Sequence, residues 1–237
     1  METIGGRGCR VATAAALAVI WLGACAPADA DSGPTVFPGM RIRQGDTGCM
    51  VGFVETRLRV ALTTGQCDGG SVVTDGDRHP VGAVVLVRRQ TADDAVDVAI
   101  LPVEYEVIAL APGVAATDLL PTGRHLHEAP ALRVQQGLPV CQLRVSAGQR
   151  CGKAGPVSNG RFAIADMTVD NRDFGGPVYV LTDDDAAMVG LFEGMWGSTP
   201  SLESWQSVMR QLYLDSRAHD GPQPPSEVRM AGMVRRG

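Results

Sequence analysis

The sequence NRDFGGPVYV, residues Asn171 to Val180, joins a glycine-rich turn to a strongly β-prone run. Gly175, Gly176 and Pro177 predict a tight turn in which two backbone segments approach closely, because glycine has no side chain to prevent the approach. The Val178–Val180 segment that follows contains β-branched and aromatic residues, which predicts a buried strand. The stretch therefore predicts a sharp turn that leads into the core of a β-sheet protein.

Short β-like segments recur along most of the chain. They are apolar or alternating in character, and Gly, Asp or Asn residues separate them. They cover residues 49–54, 58–63, 81–87, 96–101, 138–143, 162–169, 177–181 and 187–192. This spacing predicts antiparallel barrels or a sandwich. One helix is predicted near the C-terminus, with Ser201 as its cap and an apolar face that runs from Leu202 to Leu212.

Two further motifs accompany the glycine turn, LTTGQC at Leu62–Cys67 and DVAI at Asp97–Ile100. In this order and spacing, the three segments resemble the LTAGHC, DxAL and GDSGGPV motifs of chymotrypsin-like serine proteases, particularly the small secreted bacterial members. The resemblance covers about Ile42 to Leu214. It implies an all-β fold of two antiparallel six-stranded β-barrels with a C-terminal α-helix.

Four cysteines lie beyond the N-terminal segment, and their even number and short spacings predict disulfides. The spacing alone leaves three pairings open. The resemblance selects Cys49 with Cys67 and Cys141 with Cys151, because VCQLRVSAGQRCG is similar to a hairpin of the bacterial members. Disulfides predict an oxidising, extracellular compartment.

The resemblance also locates the catalytic positions, and most of them hold residues that cannot carry out the family's chemistry. Gln66 stands in place of the histidine, Phe174 in place of the serine, and Arg172 in place of the glycine of the oxyanion hole. Gln cannot act as a general base near neutral pH, and Phe offers no nucleophile. Only the carboxylate position is kept, by Asp97, which is interpreted as a scaffold residue. The pattern indicates a catalytically inactive pseudoprotease.

An alternative function would be a serine endopeptidase, or another hydrolase, that uses residues the motifs do not identify. His125 and His127 are two apart and would point to the same side of a strand, with Glu128 beside them. No further ligand has a convincing spacing, so the sequence predicts neither a metal site nor a cofactor.

The segment that would form the substrate pocket, by resemblance, contains bulky residues where active relatives have small ones. These residues are Leu191, Phe192, Met195 and Trp196. Two interpretations stay open: a cleft filled by core packing, which we favour, or an apolar binding surface.

The chain divides into three predicted parts. Residues 1–30 have the short positive start, apolar run and small residues of a signal peptide. Two processing routes fit, cleavage after Ala28-Asp29-Ala30 or lipidation of Cys25 in a lipobox-like LGAC. Residues 31–215 form the double-barrel domain, and residues 216–237, rich in Pro and Gly, form a disordered tail.

The charge balance restricts the class of partner. The net charge is −5 and no basic stripe is present, which argues against a nucleic-acid partner. The sequence therefore predicts an exported, non-catalytic homologue of a trypsin-like protease, secreted or at the cell surface, that binds a protein or peptide. Contact with the membrane is expected only through the lipid anchor.

Overall fold

The computed structural model describes residues 33–67, 69–89, 103–165, 167, 170–196 and 199–219. Four sequence predictions fall outside these residues: the signal segment 1–30 with Cys25, the strand at 96–101, the carboxylate of Asp97, and the part of the tail from 220 onward. They stay predictions. No helix in the described part of the chain is long and apolar enough to cross a membrane.

The first sheet closes on itself to form a barrel. Its strands are β2 (Arg41–Gln44), β3 (Thr47–Met50), β4 (Phe53–Glu55), β5 (Val60–Thr63), β6 (Val72–Asp75), β7 (Pro80–Arg88) and β8 (Tyr105–Leu110). They are ordered β3-β2-β6-β7-β8-β5-β4 and pair antiparallel. The two strands at the ends of this order, β3 and β4, are joined through only Val51 and Gly52, so the sheet edges meet. Counting β3 and β4 as one interrupted strand gives the predicted six.

The second sheet closes in the same way. Its strands are β10 (Leu126–Glu128), β11 (Pro139–Arg144), β12 (Gly148–Lys153), β13 (Arg161–Phe162), β14 (Pro177–Leu181), β15 (Ala186–Trp196) and β16 (Thr199–Ser204). The antiparallel path is β12-β11-β14-β15-β16-β13, and an Ala154–Ile164 bridge joins its two edges. Strand β10 is added in parallel to β15, and outside both barrels β1 (Thr35–Val36) pairs in parallel with β9 (Ala115–Ala116). Two six-stranded barrels are thus confirmed.

The C-terminal helix α1 (Trp205–His219) begins later than predicted. Ser201 lies in β16, and Ser204 is the residue at the helix start, where its Oγ accepts from the backbone N–H of Ser207 at 3.4 Å. The predicted cap was wrong because Leu202, which the sequence assigns to the apolar face of the helix, lies in β16. The helix ends at His219, so residues 216–219, assigned to the tail from the sequence, are helical.

Helix α1 contacts both barrels. Trp205 is buried and packs on Phe53 of the first barrel, with ring centroids 4.9 Å apart. Near the other end of the helix, Asp215 accepts from the Tyr105 hydroxyl at 2.6 Å and from Arg88 at 3.2 Å. The helix therefore fixes β7 and β8 of the first barrel.

Both predicted disulfides are present, Cys49–Cys67 and Cys141–Cys151. The first joins β3 to a 3₁₀ turn at Gly65–Cys67, which contains Gln66. The second lies between directly paired positions of β11 and β12. The first disulfide thus anchors the turn that contains Gln66.

Candidate functional site

The glycine turn brings the two barrels into direct backbone contact. Gly175 has a φ of +77°, and a Cβ atom there would lie 1.9 Å from Thr63 Oγ1 and 2.6 Å from the Met50 carbonyl. Only glycine fits this position, as its sequence context predicts. The turn holds the preceding residue, Phe174, against β3, where its carbonyl accepts from the Met50 N–H at 2.7 Å.

A short 3₁₀ turn at Asn171–Asp173 precedes Phe174, and Asp170 caps it. The backbone N–H of Arg172 donates to Asp170 Oδ1 at 3.0 Å, and the Arg172 side chain binds the same carboxylate. These bonds from Arg172 lower the pKa of Asp170 to about 2. The amide that would serve an oxyanion hole is thus engaged by a neighbouring carboxylate.

The side chain of Asp173 fixes this turn through buried hydrogen bonds. It is fully buried, and it accepts from Arg144 Nε and from the Val145 N–H, each at 2.8 Å. A buried carboxylate needs such partners to offset its lost hydration. These contacts give Asp173 a structural role in seating the turn.

The Phe174 ring occupies the space between the two barrels. It is half-buried, stacks on Phe192 with ring centroids 5.8 Å apart, and packs against the apolar cores of both barrels. A Cβ atom at Gly194 would lie 3.0 Å from the ring edge. In the position that the resemblance assigns to the nucleophile, this chain therefore has a packing residue.

Gln66 is exposed, and its Nε2 donates to Oε2 of Glu104 at 2.5 Å. Glu104 lies directly before β8 and is only 4% exposed. In a serine protease triad a carboxylate accepts from the histidine ring in this manner. Here the carboxylate accepts from a side-chain amide, which neither gains nor loses a proton near neutral pH.

Glu104 is the residue that sequence reasoning missed. Asp97 lies outside the described residues, and its assignment stays a prediction. Glu104 reaches Gln66 because β8 pairs with β5 in a register that sets Glu106 opposite Thr63, three residues before Gln66. The only sequence signal was the alternating segment EYEVIAL, whose two glutamates interrupt an otherwise apolar strand.

Two more buried carboxyls lie behind Gln66 and Phe174. Glu193 accepts from the Thr64 hydroxyl at 2.9 Å, and Glu203 pairs with Arg161 Nε at 3.1 Å. Burial raises the pKa of Glu193 well above its ordinary value and that of Glu203 to about 7. Burial therefore favours the neutral form of the Glu193 carboxyl.

The bulky pocket residues divide between the two interpretations. Leu191 and Phe192 are fully buried and belong to the core, as a filled cleft requires. Met195 is 42% exposed on the same strand. Of Trp196 only the backbone is described. Leu191 and Phe192 therefore fit the interpretation of a filled cleft, while Met195 faces solvent.

The histidine loop has a different arrangement from a metal site. His125 and His127 are both exposed and flank the buried Leu126, so they point to one side as predicted. His125 Nδ1 lies 2.8 Å from Asp118, and this contact raises the pKa of His125. Asp118 thus occupies one ring nitrogen of the predicted pair.

A second acidic and histidine group lies in the turn between β6 and β7. Ligand atoms of Asp75, Asp77 and His79 lie within 4.8 Å of one another. Asp75 accepts from the backbone N–H groups of the other two, at 2.9 and 2.8 Å, and lies 3.0 Å from the His79 ring. These contacts stabilise the turn itself. Among the described residues, no other feature of this group indicates a bound ion.

Comparison with known proteins identifies close relatives without an assigned function. No protein-family model matches the chain. The uncharacterized proteins Rv1815 and MT1863, from two strains of Mycobacterium tuberculosis, are each 38% identical over 193 residues. The alignments span 80% of this chain and 87% of each relative.

Solved structures show the fold. The chain is similar to protease A of Thermobifida fusca (TM-score 0.53, 18% identity) and to the chymotrypsin of Cellulomonas bogoriensis (TM-score 0.53, 16% identity). Each alignment covers 76% of this chain and 96% of the other protein. It is also similar to the Nocardiopsis protease (0.52, 15%), over 75% of this chain and 96% of that one. These likenesses establish the chymotrypsin-like double-barrel fold.

Proposed function

We propose that this chain, which belongs to the same family as the uncharacterized Mycobacterium tuberculosis protein Rv1815, is an exported, non-catalytic protein that uses a protease fold to bind a protein or peptide. One observation carries the proposal: Phe174, in place of the nucleophile, packs against the cores of both barrels. Its side chain contributes to stability where the fold's enzymes have a reactive group.

Three separate losses support the absence of proteolysis. Removing the serine or histidine of a triad costs on the order of 10⁶ in turnover. Removing one oxyanion donor costs about 10² to 10³. Here Phe174 has no nucleophile, Gln66 has no basic nitrogen, and the Arg172 amide is bound to Asp170. No single substitution would restore all three.

Export is supported by the disulfides, which fit an extracellular protein. We infer that residues 1–30 direct export and that lipidation of Cys25, where it occurs, holds the protein at the cell surface. On this proposal residues 31–219 form the folded domain, and the segment from 220 onward is a solvated tail.

Introducing the catalytic residues of chymotrypsin-like serine proteases tests the proposal. The variant Gln66→His with Phe174→Ser and Arg172→Gly regains the nucleophile, the base and the flexible amide, beside the carboxylate of Glu104. We expect the unmodified protein to hydrolyse p-nitrophenyl acetate no faster than its heat-denatured sample, and the triple variant to hydrolyse it faster. Turnover by the unmodified protein that disappears on denaturation would refute the proposal.

A further inference from the structure

Two adjoining cavities lie where the start of α1 faces the segment 128–134. Their volumes are ≈ 450 Å³ and ≈ 330 Å³. The same three side chains, Arg133, Gln206 and Arg210, border both cavities, so the two form one groove with a larger and a smaller lobe. We refer to it as the arginine groove.

Both arginines of the groove are exposed, and among the described residues neither side chain has a hydrogen-bond or ion-pair partner. By contrast, Arg144, Arg161 and Arg172 each pair with a carboxylate of the chain. Two unpaired guanidinium groups on one cavity favour a carboxylate ligand, because each can donate two parallel hydrogen bonds to it.

The two lobes differ in chemistry. The smaller lobe adds the hydroxyl-bearing Ser204 and Ser207 and the apolar Val157, which is 40% exposed, and no acidic residue lines it. The larger lobe is lined by Trp205 and Met209 among others, and Glu128 borders it. Arg133 and Arg210 border both lobes, but only the larger lobe also has a carboxylate, so a ligand carboxylate should prefer the smaller lobe.

We propose that the arginine groove binds an acidic peptide segment of a partner protein. A carboxylate of the peptide lies in the smaller lobe between Arg133 and Arg210. A neighbouring apolar side chain packs on Trp205 and Met209, and Glu128 accepts a backbone N–H of the peptide. This proposal does not depend on the loss of catalysis, since neither Gln66 nor Phe174 lines the groove.

The test compares an acidic peptide with its neutral counterpart by NMR titration of the ¹⁵N-labelled protein. The probes are acetylated, amidated Leu-Glu-Leu-Glu and Leu-Gln-Leu-Gln. We expect the acidic peptide to shift amide signals of residues 131–134 and 204–210, and to bind more tightly than the neutral one. Charge reversal by Arg133→Glu with Arg210→Glu should weaken binding roughly tenfold or more.

The matched control reverses two exposed arginines that line neither cavity, Arg41→Glu with Arg150→Glu. It changes the net charge equally and should leave the affinity for the acidic peptide unchanged. Equal weakening in both double variants, equal affinity for the two peptides, or no shifts with either peptide would overturn the proposal. Shifts in the groove with phosphatidylglycerol vesicles but not with the peptide would also overturn it, in favour of a membrane contact.

Discussion

Gln66 donates to Glu104 at 2.5 Å, and the carboxylate that receives this bond is only 4% exposed. The donor is a side-chain amide, which does not titrate near neutral pH. Gln66 and Phe174, at the positions that the resemblance assigns to the catalytic histidine and serine, thus serve hydrogen bonding and packing.

The pKa of a histidine introduced by Gln66→His should reveal whether Glu104 contacts this position. We expect its pKa to lie above the ordinary value of about 6.5, because Glu104 stabilises the protonated ring. NMR titration of the ring protons measures it. In the variant that also carries Glu104→Gln, the pKa should return toward the ordinary value. The same pKa in both variants would contradict the Gln66–Glu104 contact.

Phe174→Ala should destabilise the protein by about 2 kcal/mol, because a half-buried ring loses contact with both barrel cores. The free energy of unfolding in urea measures the change. Leu58→Ala, at a position that is 74% exposed, is the control and should change stability by less than about 0.5 kcal/mol. Equal effects would show that the Phe174 ring does not pack as described.

Gly175→Ala should prevent folding or reduce stability severely, because the new Cβ would overlap Thr63 Oγ1 and the Met50 carbonyl. Gly113→Ala is the matched control, since Gly113 has a similar φ of +85° but open space around it. The control should cost only the backbone strain, roughly 1–2 kcal/mol. Thermal unfolding distinguishes the two, and similar melting temperatures would argue against the close approach of the turn.

Stability should fall as the pH rises from about 4.5 to about 7. The pKa of Glu203 rises from 4.5 to about 7 in the folded state, chiefly through burial, so the folded protein binds more protons than the unfolded chain in this interval. Its contribution is complete below pH 4.5 and is lost as the pH passes 7. Urea unfolding across this range should give a shallower decline for Glu203→Gln than for Asp184→Asn, which changes an exposed carboxylate. Identical declines would contradict the assignment to Glu203.

The sequence predicted those features that follow from local chemistry. The glycine turn, strand β14 at Pro177–Leu181 and the barrel fold follow from residue types and motif order. The disulfide pairing came from the resemblance, and the structure confirms it. Strand β13 is shorter than the predicted segment 162–169, in whose described part only Phe162 is in a strand.

Strand β8 and the contact between Glu104 and Gln66 were not predicted from the sequence, and the reason is physical. The polar–apolar alternation over residues 104–107 predicts glutamates that face solvent, whereas the structure buries Glu104 and Glu106 almost fully. Glu106 is accommodated because Gln44 donates to it across the barrel at 2.5 Å. Such pairs connect residues far apart in the chain, so only the folded barrel brings them together.

The most direct test of the account is labelling of the purified protein with a fluorophosphonate probe, with an active chymotrypsin-like protease as the positive control. The account predicts no covalent labelling, because Phe174 occupies the nucleophile position and Gln66 cannot activate another hydroxyl. Stoichiometric labelling of the folded protein, absent after denaturation, would reveal a reactive serine and contradict the central claim.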